Sequence, residues 1–468
     1  MTTTSIAWMR NDLRLADNPA LDAAIRSGGR VIALYIHEKT PQTRPPGAAA
    51  RWWLHSSLNA LQADLSGIDV ELQIRAGDPA EIFAELVAAA PVSSVFWNRR
   101  YAAGERAVDS AIKLQLRAAG VEVKSFAANL LIEPWDIMTG QGRPYSVFSP
   151  FWKTLRQRHI ATPLACPAAL AAKRPARVDV DYQEPQWAEK LSGHWYVGEM
   201  AAQRNLADFL DHRIERYRDE RDFPDSDATS NLSPHLRFGE ISPRQIWQAA
   251  ILTAEVSPQK ATAVEKFLSE LAWRDFSYHQ LYHRGDIASE PMQSKYADMV
   301  WRDADADLRA WQCGQTGLPI IDAGMRELWE TGFMHNRVRM LVASLLTKNL
   351  LIDWRHGEKW FWDCLVDGDV ASNPASWQWV AGCGLDAAPY FRIFNPVTQG
   401  GRFDAQGDYV RRWVPELAGL PDKWLHNPWE APAQVLAAAG VQIGADYPAP
   451  IVDLKESRAR ALEAVGAL

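Results

Sequence analysis

Short apolar runs recur along the first 130 residues, each followed by a longer stretch of helical period. Residues 5–9, 30–36, 70–74, 95–97 and 121–126 are brief and partly β-branched, which favours strands. The segments near 18–27, 48–65, 78–90 and 104–119 read as the helices between them. Asp78 followed by Pro79 marks one helix start, an N-cap carboxylate before a proline at the first helical position. This alternation predicts an α/β domain built on a doubly wound parallel sheet. The first strand runs into Met9, Arg10, Asn11 and Asp12 and not into a glycine-rich turn, so an ordinary dinucleotide site is not expected there.

The pattern breaks over 131–195, where Pro134, Pro144, Pro150, Pro163, Pro167, Pro175 and Pro185 interrupt any long element. Residues 161–176 are rich in Ala and Pro and suit a surface linker. From Tyr196 the period is helical, and strand patterns almost vanish after residue 200. Ser233-Pro234 and Ser242-Pro243 read as further cap-and-proline starts; 267–282, 320–331, 334–351 and 359–365 read as helices. The expected organisation is an α/β domain over 1–130, an irregular linker over 131–195 and an all-α domain over 196–468. No internal repeat or low-complexity tail is visible.

At 468 residues two domains are the natural expectation, and 47% hydrophobic with 23% charged residues describes an ordinary globular protein. The net charge of −7 argues against bulk coating of nucleic acid, yet permits a local basic groove. Twenty-one tryptophans are unusual, because each buried indole N–H wants a partner. Cys166, Cys313, Cys364 and Cys383 have no paired spacing, so neither zinc nor disulfides are implied, and a reducing cytoplasm is expected. Residues 1–14 lack the apolar core of a signal peptide, and no apolar run approaches the roughly 18 residues of a membrane span.

Residues 353–396 concentrate the candidate chemistry. Asp367, Asp369 and Asn373 sit around a Gly-containing turn between Trp354 and the pair Trp377 and Trp379. Carboxylates and amides can bond a heterocycle, and indoles can stack on it or pass electrons to it. Thr229, Ser230 and Ser233 before Pro234 could cradle a phosphate at a helix start, although simple capping is the commoner reason for such a pattern. Glu270, Trp273 and Arg274 share a helix face at i, i+3 and i+4, which suits a polar aromatic ligand or merely an exposed Glu–Arg pair beside a core indole. Asn336, Arg339 and Met340 share another face, where Met340 could equally be core filler. Arg213, Arg216, Arg218 and Arg221 interleave with acids, as on a solvated helix; Arg337, Lys348 and Arg392 add candidates for a basic groove. Residues 382–387 fit GxGxxA but follow no strand, and His279 and His283 have metal spacing without a third ligand, so both are set aside.

Nearly the whole chain resembles the photolyase/cryptochrome family. Trp8–Arg14 with Asp17–Leu21, Tyr145–Trp152 and Ala387–Pro396 match the family's motifs; Arg51–Leu54 and Leu130–Trp135 resemble plant cryptochromes, to which the bacterial class III photolyases for cyclobutane pyrimidine dimers are related. The resemblance implies FAD held by Tyr217, Thr229, Ser230, Leu232, Ser233, Arg274, Arg339, Asp367, Asp369 and Asn373, with Arg339 paired to Asp367. Asn373 matches the residue that faces the reactive ring nitrogen; a neutral amide there favours the reduced anionic flavin and tilts toward repair over signalling. It implies a lesion gripped by Glu270, Trp273, Asn336, Met340 and Trp379, where relatives that repair the (6-4) photoproduct carry His in place of Asn336 and Met340. Trp377, Trp354 and Trp301 match the three-indole chain that re-reduces the flavin under light, although some could be packing only. Arg221, Arg337 and Arg392 would contact DNA. An antenna of the 5,10-methenyltetrahydrofolate type is implied, with Glu105 as a contact; Gly104 departs from the Asn of some folate-type members. The expected protein is a monomeric DNA repair enzyme, with a cryptochrome-type photoreceptor or a flavin oxidoreductase as rivals.

Overall fold

A computed structural model of the chain describes residues 3–167, 183–389 and 392–468. Residues 168–176 of the expected linker, and positions 390 and 391 of the C-terminal motif, lie outside the described residues. The chain forms two compact units, Met1–Glu215 with Ser230–Asp286, and Arg216–Thr229 with Ile287–Leu468.

The first unit holds the expected sheet. Strands β1 (Thr4–Met9), β2 (Arg30–Glu38), β3 (Glu71–Gly77), β4 (Val92–Asn98) and β5 (Glu122–Phe126) are all parallel in the order β3-β2-β1-β4-β5. Helices α1 (Pro19–Arg26), α2 (Ala48–Ser66), α3 (Pro79–Ala89) and α4 (Ala103–Ala118) connect them, each within a few residues of the pattern. Asp78 accepts the Ala80 N–H at 2.7 Å and caps α3 as expected. Asn18 does the same for α1, accepting from Leu21 at 3.2 Å ahead of Pro19. In register, Ile6 lies beside Ile32 and Val95, and Trp8 beside Leu34 and Trp97. These residues and Phe83 form one buried cluster, with the Trp8 ring edge-on to Phe83 and Trp97 at 5.1 and 5.6 Å. Each such side chain stabilises the sheet by about 1.5–3 kcal/mol on burial.

The C-terminal ends of β1, β2 and β4 are filled by an ionic cluster. Arg10 meets Asp109 at 3.2 Å, and Arg100 meets Glu38 at 2.7 Å and Asp109 at 2.6 Å. The Arg10 guanidinium lies 4.3 Å above the Trp8 ring. Asp109 stays below the usual carboxylate range because these two guanidinium groups outweigh its burial.

The stretch read as irregular contains a further helix, α5 (Phe148–Leu155). Pro150 is its third residue, in the first turn, where a missing N–H removes no intrahelical bond. Ser242 caps its helix as expected, exchanging bonds with Gln245 at 3.0 and 2.8 Å. Ser233 does not cap: it is the first helical residue, and Leu232 occupies the cap position. Several indoles find the partners they need. Trp52 donates to Glu184 at 3.0 Å and Trp53 to Glu240 at 3.1 Å, and Glu240 also bonds the buried His235 ring.

The second unit is helical, and its described residues contain one isolated bridge, Ile443 to Tyr447, and no strand. The stretch 334–351 is not one regular helix. It is α-helical over Asn336–Ser344 and continues as a π-helical segment over Leu345–Asn349. Trp311, Trp354, Trp377, Phe361, Tyr409 and Tyr447 anchor one large core. Among the described residues no helix is long and apolar enough to cross a membrane.

Candidate functional site

In the second unit, Arg339 and Asp367 are paired at 2.9 Å, as expected. The Arg339 Nε also donates to the Met334 carbonyl at 2.7 Å, so its fork is held at two points. Asn373 is buried on the first turn of the Ser372–Ala381 helix. Its amide nitrogen donates to the Glu358 carbonyl at 3.0 Å and to Glu358 Oε1 at 2.9 Å. Both amide hydrogens are thereby engaged, and the orientation of the amide is fixed with its oxygen pointing away from Glu358. Asp369 is partly committed to architecture, since its Oδ1 accepts the N–H groups of Ala371 and Ser372 at 2.9 and 2.7 Å.

Tyr217 is buried, with the Arg221 guanidinium 5.5 Å from its ring, and Thr229 is partly exposed. Asn336 is exposed at the start of its helix, one residue after His335, whose Nδ1 caps that helix by accepting the Arg337 N–H at 3.2 Å. Met340 and Trp379 are half-buried at the edge of the core. Trp377 and Trp354 are almost completely buried and Trp301 is partly exposed, a gradient from interior to surface. Arg337 is paired with Asp222 at 2.6 Å and lies 4.4 Å above Phe403. Arg392 is exposed. Lys348 fails as a groove residue: it is fully buried and its ammonium donates to the Arg392 carbonyl at 3.0 Å. Burial pushes its pKa down to about 8.

In the first unit, Glu270, Trp273 and Arg274 lie on the 24-residue helix Ala261–Arg284. Trp273 stacks flat on Phe148, with centroids 3.7 Å apart. Glu270 accepts from Lys266 at 2.6 Å, so its ion pair runs one turn backward and not to Arg274. Arg274 donates to the Asn129 carbonyl at 2.6 Å and lies over Tyr278. The next residue, Asp275, accepts from the Leu131 and Ile132 N–H groups at 2.7 and 3.4 Å, and burial pushes its carboxyl up to about 7. Thus the helix clamps the loop after β5 with two consecutive side chains.

Directly before the helix Ser233–Phe238, Asn231 is left-handed (φ 53°) and Leu232 is right-handed. Opposite-handed neighbours turn successive N–H groups toward one point, a conformation suited to an anion. Ser233 is exposed directly after it.

Glu105 closes the first turn of α4 by accepting the Ala102 N–H at 3.2 Å, and burial raises its pKa. Gly104 has a packing reason: a Cβ there would fall on the Gln42 carbonyl oxygen, so no side chain fits. His279 and His283 have other duties. The Tyr145 N–H donates to His279 at 2.9 Å, and His283 bonds the Pro134 carbonyl at 3.1 Å.

Two carboxylates with clear roles escape sequence reasoning. Glu358 lies inside the Trp-rich run but on the Trp354–Cys364 helix, while Asn373 is on the next one, so no helical period pairs them. Glu327 lies in the stretch read only as a helix over 320–331, and it accepts the Tyr409 O–H at 2.6 Å.

Residues 5–168 match the family model described as DNA photolyase, and residues 267–467 match that of the FAD binding domain of DNA photolyase. The chain belongs to the photolyase/cryptochrome family. A deoxyribodipyrimidine photo-lyase of Agrobacterium fabrum is 46% identical over 478 residues, covering 100% of this chain and 98% of the relative. Cryptochrome-1 of Arabidopsis thaliana is 36% identical over 476 residues, covering 98% of this chain and 70% of the relative. The crystal structure of a bacterial class III photolyase from Agrobacterium tumefaciens superposes with a TM-score of 0.94 at 46% identity, covering 100% of this chain and 98% of that one.

The residues present fit FAD. The oriented Asn373 amide and the Arg339–Asp367 pair suit the edge of a flavin ring. In the first unit, taken by itself, the left-handed Asn231 followed by right-handed Leu232 suits a phosphate.

Proposed function

We propose that this chain is a light-driven DNA repair enzyme that splits cyclobutane pyrimidine dimers, acting as a monomer with reduced FAD. When bound, FAD supplies the excited electron that opens the cyclobutane ring and then takes it back, so no net oxidation occurs. The chain's own residues do the rest. Tyr217, Thr229, Ser230, Leu232 and Ser233 hold the nucleotide part, and Arg274, Arg339, Asp367, Asp369 and Asn373 hold the ring. Glu270, Trp273, Asn336, Met340 and Trp379 receive the flipped-out dimer, with Glu270 accepting hydrogen bonds from base N–H groups. Arg221, Arg337 and Arg392 take backbone phosphates. Trp377, Trp354 and Trp301 carry electrons inward from the surface.

The observation that carries this reading is the amide of Asn373. Glu358 fixes it with its oxygen free to accept from a ring N–H, and it has no acidic proton to give. A site of this kind favours a reduced, anionic flavin, the electron donor that repair needs. The full-length likeness to a deoxyribodipyrimidine photo-lyase supports the same substrate. For the antenna we favour 5,10-methenyltetrahydrofolate with Glu105 as a contact. The backbone at Gly104 would have to replace the Asn of other folate-type members.

The deciding experiment uses purified holoprotein with fully reduced flavin and an oligonucleotide bearing one dimer. Blue light should restore the two pyrimidines, read by chromatography. An unrepaired oligonucleotide would favour a photoreceptor of the cryptochrome kind.

A further inference from the structure

Glu327 lies on the Pro319–Thr331 helix, outside every set of residues assigned above. Its Oε2 accepts two bonds, from the Tyr409 O–H at 2.6 Å and from the His335 N–H at 3.3 Å. His335 is the cap of the helix that presents Asn336, Arg339 and Met340. One residue earlier, the Met334 carbonyl accepts the Arg339 Nε at 2.7 Å, and Arg339 reaches Asp367 at 2.9 Å. Hydrogen bonds and a short stretch of backbone therefore link buried Tyr409, through Glu327, to the Arg339–Asp367 pair. The two helices have no slack. At Gly324 a Cβ would fall on Val338 Cγ1, so a shift at one helix is passed to the other and not absorbed.

The groups facing Glu327 come from two directions. Tyr409 and Arg412 lie on the Asp408–Trp413 helix, and His335 and Arg339 belong to the start of the Asn336–Ser344 helix. Asp404 stands behind Tyr409, accepting the N–H groups of Tyr409 and Val410 at 3.0 and 3.1 Å, beside His426. Burial pushes the Glu327 carboxyl up to about 7 against the pull of the Tyr409 and His335 bonds and of both arginines. Burial pushes His335 down to about 4 and Asp404 up to about 6, and Tyr409 stays protonated. Glu327 is thus the member of this group whose charge changes nearest neutrality.

We propose that Glu327 is a positioning residue for lesion recognition: its carboxylate draws the start of the Asn336–Ser344 helix toward Tyr409 and so sets Asn336 and Met340 for a flipped dimer. The inference rests on the repair reading given above. A carboxylate accepts roughly twice as strongly as a neutral group, so loss of its charge relaxes the helix start without unfolding the unit.

The test is equilibrium binding, in the dark, of oxidised holoprotein to matched oligonucleotides with and without one dimer, from about pH 6 to about pH 8.5 at constant ionic strength. Wild type should bind the dimer about fivefold tighter at the upper end, the margin by which a hydrogen bond to a carboxylate exceeds one to a neutral carboxyl. Glu327→Gln should be flat at the low-pH affinity with its flavin content unchanged. Tyr409→Phe removes one donor to the carboxylate and should move the step to higher pH, an effect that mere packing would not give. Asp404→Asn should leave the midpoint in place. A flat wild-type profile, a step that survives in Glu327→Gln, or a step abolished by Asp404→Asn would overturn the inference. If Glu327→Gln does not fold, the Tyr409→Phe midpoint decides: no shift overturns it. If wild type shows no preference for the dimer at any pH, the repair reading itself has failed and the inference falls with it.

Discussion

Replacing Gly357 by alanine isolates what the packing around Trp377 is worth. Gly357 sits in the interior of the Trp354–Cys364 helix, where alanine would ordinarily add about 1 kcal/mol of stability. Here the new methyl would fall on Trp377 Cη2 and lie 2.6 Å from Cζ2. The indole has little freedom to yield, because Phe361 stands edge-on at 5.0 Å and Trp311 at 6.1 Å. Overpacking of this kind costs about 1–3 kcal/mol. Subtracting the helix gain leaves Gly357→Ala unchanged to about 2 kcal/mol less stable, against the gain expected at an ordinary site. The displaced ring should also slow light-driven reduction of the flavin, as Trp377→Phe should by removing the carrier. Repair by chemically reduced enzyme should survive both changes. The assays are a thermal melt and the bleaching of oxidised flavin under blue light with an external thiol. A variant that melts higher than wild type and photoreduces at the same rate would refute the packing argument.

Asn373→Asp would set a carboxylate against Glu358 Oε1, now 2.9 Å from the amide nitrogen, and should cost about 3–5 kcal/mol as an uncompensated buried charge. FAD content and melting temperature should both fall, and adding Glu358→Gln should restore them; no rescue would mean that the pair does not orient the amide. Glu270→Ala should weaken dimer binding and repair more than FAD retention, read by gel shift and by flavin absorbance; the reverse order would misplace the residue. Asp275 titrates at about 7 in the folded protein against an ordinary 3.8, so its contribution to stability is full below that ordinary value and is lost as pH rises through 7. The difference is at most about 4 kcal/mol, and Asp275→Asn should flatten the fall in melting temperature between about pH 4 and about pH 7; an unchanged slope would assign the titration elsewhere.

The sheet was legible because its strands are short, apolar and punctuated, and because a helix start such as Asp78-Pro79 carries its own cap. The helical half was legible in outline only. Nothing in the sequence between 334 and 351 announces that the α-helix gives way to a π-helical segment at Leu345, because both backbones bury the same apolar residues. Pro150 misled in the other direction. A proline marks a break only when the helix continues on its N-terminal side, and here the helix begins two residues before it.

Within the site, what the sequence offers is residue type, and what it withholds is prior commitment. Lys348 reads as a groove cation, but its ammonium is buried against a carbonyl. Arg274 holds a backbone oxygen before it can reach any ligand, and Asp369 caps a helix. Arg337 already faces Asp222, so a DNA phosphate would have to displace a carboxylate to reach it. Asn373 is the opposite case. Its nitrogen is bound, and that very commitment decides which end of the amide remains available. A buried polar group must be satisfied whatever its function, and each partner that satisfies it also removes one orientation from the set it could adopt. The chemistry of this pocket therefore depends as much on Glu358, which touches no ligand in the proposed reading, as on Asn373, which does.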